Sequence, residues 1–573
     1  DLDAAIDLFR QGAEQADPSF VVEDNLEAIK QICHAVRGVP LAIEIASSWA
    51  RLMSCDKILE EIQKSMDFLS TNLNDIPLRH RSMRGVFEST WAFLKSTERT
   101  ALENVTVFQG AFDKDAATKI CEVTLHQLSR LDEICLIYQA GNGRFGIHPL
   151  LRSFAEEKLQ ENKERASAIG RRHANHYIEA LADHRKNIAS SRHLEILDEI
   201  DGNLDDYLAA VTHGLAIADL DVLVNAIDML LNWSSLRDRR SHGAEIFEQW
   251  AKLARTLPPE RRIIRGWLQV AFAMCAHFTG AFKVMEEELG DVRTIVETED
   301  DERLRAHFFH ALGNLYDGRG YYDDAKAYYS RSEELHASSD AVARLHPVLS
   351  LASLELRNGD WQAAEPWLEK AIHFLQPVPS GLTIALLLKG DVDVARNRFD
   401  EADSSYRRGL QLGRELNGHQ LINRALRRLA NSQQRNGRPE TAVDMLTEAI
   451  DLARQTGDGF GIADSAVELA GALMAAKRLS KAQAAAQEGF VAASHISNPT
   501  YLYKLGLLQA RLWKQAKKKQ RADEMLMALD AQVPPHHPLR AAIDEALTEV
   551  DPEYSVHERD FGTLVDTIMA GVI

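Results

Sequence analysis

Few residues in this chain are spaced for chemistry, and the first that stands out is a histidine at a joint. In "GIHPLLRSFAEEKL" (146–159), His148 ends an apolar, strand-like stretch and precedes an amphipathic helix that opens at Pro149. Proline suits a first helical turn, where its missing N–H is not needed. An imidazole at that joint can help start the helix and hydrogen-bond a backbone carbonyl. It can also hold an anionic group without a permanent charge. A second joint lies in "GVPLAIEIA" (38–46), where Gly38 and Pro40 interrupt two helical stretches. His173 and His176, three apart in "RRHANHY" (171–177), could serve as two metal ligands on one helix. No third ligand stands at a sensible spacing, so they are expected to be solvent-exposed and no metal site is assigned. There is no G-x-S-x-G, no H-E-x-x-H and no local cysteine–histidine pattern. No catalytic residue is assigned and the chain is not expected to be an enzyme by itself.

The elements that must hold these residues are mostly helical. At 573 residues the chain exceeds one ordinary core, so several domains or a repeat array are expected. Its five cysteines (Cys33, Cys55, Cys121, Cys135, Cys275) are odd in number, far apart and without a C-x-x-C, which predicts reduced, buried, cytoplasmic thiols. The net charge of −19 disfavours general attraction to nucleic acid or anionic membrane. No run approaches eighteen apolar residues, and "DLDAAIDLFRQGAEQ" has no secretory signal, so no membrane contact is expected. "KQAKKKQR" (514–521) is the one dense basic run; it lacks interleaved aromatics and reads as a solvated inter-helix turn. "PPHHP" (534–538) reads as a linker.

From about residue 165 to 550 apolar residues recur at three and four, the helical period. A longer period lies over it. "GDWQAAEPWLEKAI", "NRFDEADSSYRRGL", "GRPETAVDMLTEAI" and "KRLSKAQAAAQEGF" align on Ala364, Ala402, Ala442 and Ala482, with Ala325 before them and Ala522 after. Tyr329, Leu368, Tyr406, Leu446, Ala486 and Leu526 follow four residues later. The small residue lets one helix approach its partner and the residue one turn on fills the groove beside it. Glycines in "RNGD" and "RNGR" are placed to end the first helix of a hairpin. "FTGAFKVMEEEL" (278–289) is a further unit upstream. The aromatics of "FFHALGNLYDGRGYYDDAKAYY" (308–329) read as hairpin core, with Tyr321 and Tyr322 the ones to be exposed. Before the array, helices are followed by two short strands around Gly141–Gly143 and the helix after His148, which suggests a winged-helix module.

These hairpins resemble the tetratricopeptide repeat, whose first-helix signature matches Leu312, Gly313 and Tyr316. The order "GVPLAIEIA", "RHRSMR", "FQGAF", "IHPLLRSFAEEKL" and then repeats resembles the STAND class of signalling ATPases, over residues 1–180 by motif and beyond by architecture. The resemblance implies a predominantly α fold: a helical lid at 1–75, a winged helix at 76–165, a helical linker or early repeats at 166–265, tetratricopeptide-like repeats at 266–550 and a tail at 551–573. It implies that Gly38 and Pro40 border a bound nucleotide, with Pro40 on the adenine, and that His148 reaches the β-phosphate of ADP. Pro149 stands where immune-receptor members of the class carry aspartate, which removes a carboxylate from that point. The chain has no G-x-x-x-x-G-K-[ST], so ADP or ATP is expected only with a nucleotide-binding core upstream of Asp1. The implied function is a cytoplasmic sensor and regulatory portion of a nucleotide-dependent switch. Its repeats would bind an inducer or protein partner, with self-oligomerisation on activation. Transcriptional control would act through a separate effector domain that contacts DNA; a defence output is the variant. The alternative from another class is a freestanding scaffold for protein partners.

Overall fold

The computed structural model describes residues 2–573 apart from 17–19, 23–24, 37, 39–41, 44–45, 48, 52, 65–82, 238, 278–280, 496–498, 534–538, 551–560 and 570–573. The chain divides into two compact units, residues 1–180 with 201–218 and residues 181–200 with 219–573. Pro40, "RHRSMR" before Met83 and "PPHHP" lie outside the described residues.

In the first unit, α1 (Leu2–Ala16), α2 (Leu26–Ala35) and α3 (Cys55–Lys64) bury Phe9, Ile29, Ile32 and Ile58. Next come α4 (Met83–Phe93), α5 (Ser96–Val105), β1 (Phe112–Asp113), α6 (Lys114–Cys121), α7 (Leu125–Glu133), β2 (Tyr138–Gly141), β3 (Arg144–Gly146) and α8 (Pro149–Gln160). The strands form an antiparallel sheet of order β1-β3-β2, with Phe112 opposite Phe145 and Tyr138 opposite Gly146. Gly141, Asn142 and Gly143 all have positive φ, which is the conformation a tight hairpin needs and glycine adopts without strain. β1 has no counterpart in the sequence reading because two residues carry no period. Helix α9 (Lys163–Asn187) passes from the first unit into the second at residue 181, α10 (His193–Gly202) belongs chiefly to the second, and α11 (Leu204–Gly214) belongs to the first.

The second unit is a stack of helical hairpins: α12 (Leu220–Leu236) with α13 (Arg240–Ala254), α14 (Arg262–Ala276) with α15 (Phe282–Thr298), and α16 (Glu302–Gly318) with α17 (Tyr322–His336). The stack continues with α18 (Ala341–Arg357) and α19 (Trp361–Phe374), α20 (Pro379–Ala395) and α21 (Phe399–Glu415), and α22 (His419–Arg435) and α23 (Pro439–Thr456). It is completed by α24 (Gly459–Ala475) with α25 (Leu479–Ser494) and α26 (Pro499–Gln515) with α27 (Lys519–Gln532). Helices α28 (Arg540–Leu547) and α29 (Phe561–Met569) close it; Phe561, Leu564 and Ile568 join the core of the last hairpin, so this part of the expected tail is packed structure. The architecture is a predominantly α, tetratricopeptide-like solenoid. No helix among the described residues is long and apolar enough to cross a membrane.

One turn closes six of the hairpins. Gly320, Gly359, Asn397, Gly437, Lys477 and Lys517 all have positive φ, and in each case the next N–H reaches five residues back to the first helix, as in Asp360 to the Glu355 carbonyl at 2.9 Å and Arg478 to Leu473 at 2.8 Å. This is the Schellman closure of a helix end. The aligned small residues sit where the sequence period demands: Ala325, Ala364, Ala402, Ala442, Ala482 and Ala522 are all buried, as are the residues one turn on. Two repeats go further. A methyl on Gly313 would come within 2.4 Å of the Tyr329 ring, and one on Gly390 within 2.3 Å of Tyr406. The tyrosine lies flat on helix backbone there. Its hydroxyl donates to the residue beside the glycine, Asn314 at 2.8 Å or Asp391 at 2.7 Å. Tyr321 is exposed as expected, whereas Tyr322 is partly buried against Tyr329.

Each first helix also packs on the first helix of the next hairpin, from α12 through α26, and among the described residues no two successive second helices are joined as closely. The first helices therefore form the inner layer of the array.

Gly313→Ala should lower stability by about 1–3 kcal/mol through overpacking against Tyr329, read as a drop in thermal midpoint. Lys477→Gly should raise it, because a non-glycine residue in the left-handed region carries about 1–2 kcal/mol of steric cost, partly offset by glycine's entropy.

Candidate functional site

Two places among the described residues are candidate sites. The first is the joint at His148. Its Nδ1 accepts from the Leu150 N–H at 3.3 Å, capping α8, and its Nε2 donates to the Val36 carbonyl at 2.9 Å. Val36 lies just past α2, where the Gly38 N–H closes the helix end on the Cys33 carbonyl at 3.0 Å and Gly38 has φ +71°. The turn thus leaves a carbonyl for the imidazole to take, and one neutral tautomer serves both bonds. The reading of His148 as a helix starter bonded to a backbone carbonyl is the one realised here. It also brings His148 to the turn that Gly38 closes, bonding Val36, 112 residues away in sequence.

A neighbouring anchor escaped the sequence reading. Asp206 in α11 is fully buried; it accepts the backbone N–H groups of Gln109 at 2.7 Å and Gly110 at 3.2 Å, and bonds His173 Nε2 at 2.9 Å. "FQGAF" is thereby explained. Phe108 and Phe112 stack at 4.4 Å in the core, and the turn between them offers its amides to one carboxylate. The expectation of an exposed His173 is corrected, since its ring is buried against Asp206, Phe108 and Tyr177. His176 is partly buried. No local signal marks Asp206, because its backbone partners lie 96 and 97 residues earlier and His173 lies 33 residues earlier.

The second place is the inner layer of the array. Side chains from the first helices α12, α14, α16, α18, α20 and α22, with Arg240 at the start of α13, His277 just past α14 and Tyr329 of α17, line a cavity of about 270 Å³. Arg357 Nη2 meets Asp317 at 2.5 Å, and Arg428 Nε meets Asp391 at 2.9 Å on the edge of an adjoining cavity of about 350 Å³. His277, His310 and His346 also line it. Burial pushes His277 down to about 4 and His346 to about 3, with Arg240 pushing both the same way; burial and the neighbouring histidines hold His310 well below the usual range. These imidazoles are neutral at pH 7. In the sequence this face shows in the arginine before the turn in "RNGD" and "RNGR" and in "FFHALGNLYDGRGYYDDAKAYY" (308–329), whose His310, Asn314, Asp317 and Tyr329 line the cavity.

The basic run is exposed over Lys514–Gln520, at the turn between α26 and α27. Of the five cysteines, Cys33, Cys55, Cys121 and Cys275 are buried, but Cys135 is exposed, a correction that follows from its place in the turn after α7 with φ +57°.

Comparison with known proteins agrees with this architecture. Residues 306–337, in α16 and α17, and residues 425–459, chiefly in α22 and α23, each match a tetratricopeptide repeat model. A protein of Mycobacterium tuberculosis (strain H37Rv) named "Putative HTH-type transcriptional regulator" is 26% identical over 219 residues, 36% of this chain and 24% of its own length. An uncharacterized protein of the same strain is 28% identical over 179 residues, 29% of this chain and 46% of its own. The chain therefore spans less than half of the curated relatives it matches. Among solved structures, a Signal Transduction ATPase with Numerous Domains (STAND) protein with a tetratricopeptide repeat sensor, from Pyrococcus horikoshii, superposes with a TM-score of 0.51 at 16% identity, over 96% of this chain and 75% of that one. That likeness is one of fold.

His148→Ala should cost about 1–2 kcal/mol, from the lost cap and the stranded Val36 carbonyl, with His148→Asn recovering the capping part; thermal unfolding of both variants checks this. Acid should destabilise the array early. Histidines held below their unfolded value of about 6.5 do not take up the protons that the unfolded chain binds, so stability is full above that pH and falls by up to about 1.4 kcal/mol per pH unit per histidine as pH drops from 6.5 towards 4. His346→Phe should make the slope of denaturant stability against pH shallower in that window.

Proposed function

We propose that this chain is the sensor and regulatory portion of a STAND-type signalling switch, with the repeat array binding an inducer or protein partner and transcriptional control as its output. The observation that carries the reading is the inner layer of first helices. Its arginines, histidines and serines face a cavity, although hairpin packing needs only the alanine, glycine and apolar positions. The fold likeness to a STAND protein with a repeat sensor and the name carried by the mycobacterial relative support it. The sheet of three short strands among helices α5–α8 supports the winged-helix reading of the region.

Gly38 and His148 do not by themselves make a nucleotide site. They supply one turn and one imidazole, and no amide cradle, lysine or magnesium-binding hydroxyl accompanies them in the sequence. On this reading they form one edge of a site completed by residues outside this sequence, and the chain has no ATPase activity of its own. The His148–Val36 bond favours the scaffold alternative to one extent: it satisfies both imidazole nitrogens within the protein.

A photo-crosslinking amino acid at Ser353 in the cavity should capture a partner in cells, and the same group at the exposed His373 should not; equal capture at both would remove the sensor reading. Expression from the natural reading frame should give protein that retains ADP, with at least about tenfold less in His148→Ala (about 1.4 kcal/mol of lost binding). Unchanged nucleotide content would count against the His148 role.

A further inference from the structure

Composition makes one feature of the inner cavity unexpected. The chain carries 85 acidic against 66 basic residues, yet the cavity is lined by Arg240, Arg357, Arg424 and Arg428 with Asp317 as the one carboxylate among its lining residues. These arginines reach it from α13, α18 and α22, which belong to different hairpins. Arg357 and Arg428 are held in place by Asp317 and Asp391, so their guanidinium groups are oriented before any ligand arrives. Convergence of this kind matches the planar fork of arginine to oxyanions, which it binds through paired N–H groups.

A second observation points to a ligand independently. His310, only 4% exposed, has no partner for its Nδ1, while its Nε2 lies 3.1 Å from the Ser350 hydroxyl. His346 Nε2 is likewise shielded and without a partner, and the two rings stack at 5.7 Å. Buried polar atoms are normally bonded, so these two nitrogens leave hydrogen-bonding capacity unused beside the cavity. Ser350 can donate to His310 Nε2, which puts the ring proton on Nδ1. Guanidinium and imidazole donors together suit an acceptor with several oxygens. Its 350 Å³ neighbour shares Arg428, adds Arg427 and Arg435 together with Asp391 and Glu468, and by itself falls within the range of about 300–1,000 Å³ usual for small ligands.

We infer that the inner cavity binds a small, multiply charged oxyanion, carboxylate or phosphate in kind, through Arg240, Arg424 and Arg428 with His310 and His346 donating beside them. The inference deepens the sensor reading: the inducer is an anionic metabolite, and its seat spans at least three hairpins, so occupancy fixes their relative curvature.

Calorimetric titration of the purified chain with pyrophosphate and with citrate tests this, the two arms separating a phosphate from a carboxylate preference. Saturable binding of either is expected, weakened at least tenfold in Arg424→Gln and in Arg240→Gln. The exposed Arg511→Gln should bind as the parent does, and the circular dichroism melts of all three should stay within a few degrees of it. The ¹⁵N spectrum of His310 should show proton occupancy of Nδ1 sharpen with ligand. No saturable binding in either arm, or equal weakening in Arg511→Gln, overturns the proposal. If anions fail while the Ser353 crosslinker still captures a partner, the sensor reading stands and only the anionic chemistry falls.

Discussion

Close approach of paired helices is the constraint from which the rest of the second unit follows. A helix can lie against its neighbour's backbone only where one of them offers no side chain bulk, and six of the eight hairpins meet that condition at one aligned position. Alanine does so six times over, and glycine beneath a tyrosine ring sharpens it twice. The left-handed turn that ends the first helix in six of the hairpins sets the angle at which the second returns. Where glycine occupies that turn the conformation is free of strain, and where lysine does, neighbouring packing holds it.

That economy has a functional consequence. Packing consumes the small and apolar positions of each hairpin, leaving the remaining face of every first helix open to polar residues. Because first helices pack on one another along the stack, those residues gather on one continuous inner layer. Arginine and histidine can then be tolerated at low exposure, since each is paired, stacked or turned to a cavity. A repeat scaffold of this kind separates what holds it together from what it recognises.

The first unit uses a different logic, long-range single contacts in place of a repeated one. His148 ties the start of α8 to the end of α2, and Asp206 ties α11 to the turn between Phe108 and Phe112. Both anchors are polar groups meeting backbone that secondary structure left unpaired, at a helix end or a turn. Such contacts are few, so each fixes the relation of two distant stretches, and each is a place where a competing ligand could loosen that relation.

Periodicity made the array legible in the sequence. Helical spacing, the near-forty-residue recurrence of alanine and the glycine turns are local patterns, and local patterns follow from backbone geometry that the fold must respect. The two strands around Gly141–Gly143 were legible for the same reason. The joint at His148 could be placed at a helix start, because its neighbours Ile147 and Pro149 define one. Its partner could not, since Val36 offers only a carbonyl and every residue has one. Burial of His173, exposure of Cys135 and convergence of Arg240, Arg357, Arg424 and Arg428 were likewise decided only when distant segments met. Side-chain identity sets what a residue can do, whereas its partners depend on which strangers in sequence become neighbours in space, and no local pattern encodes that.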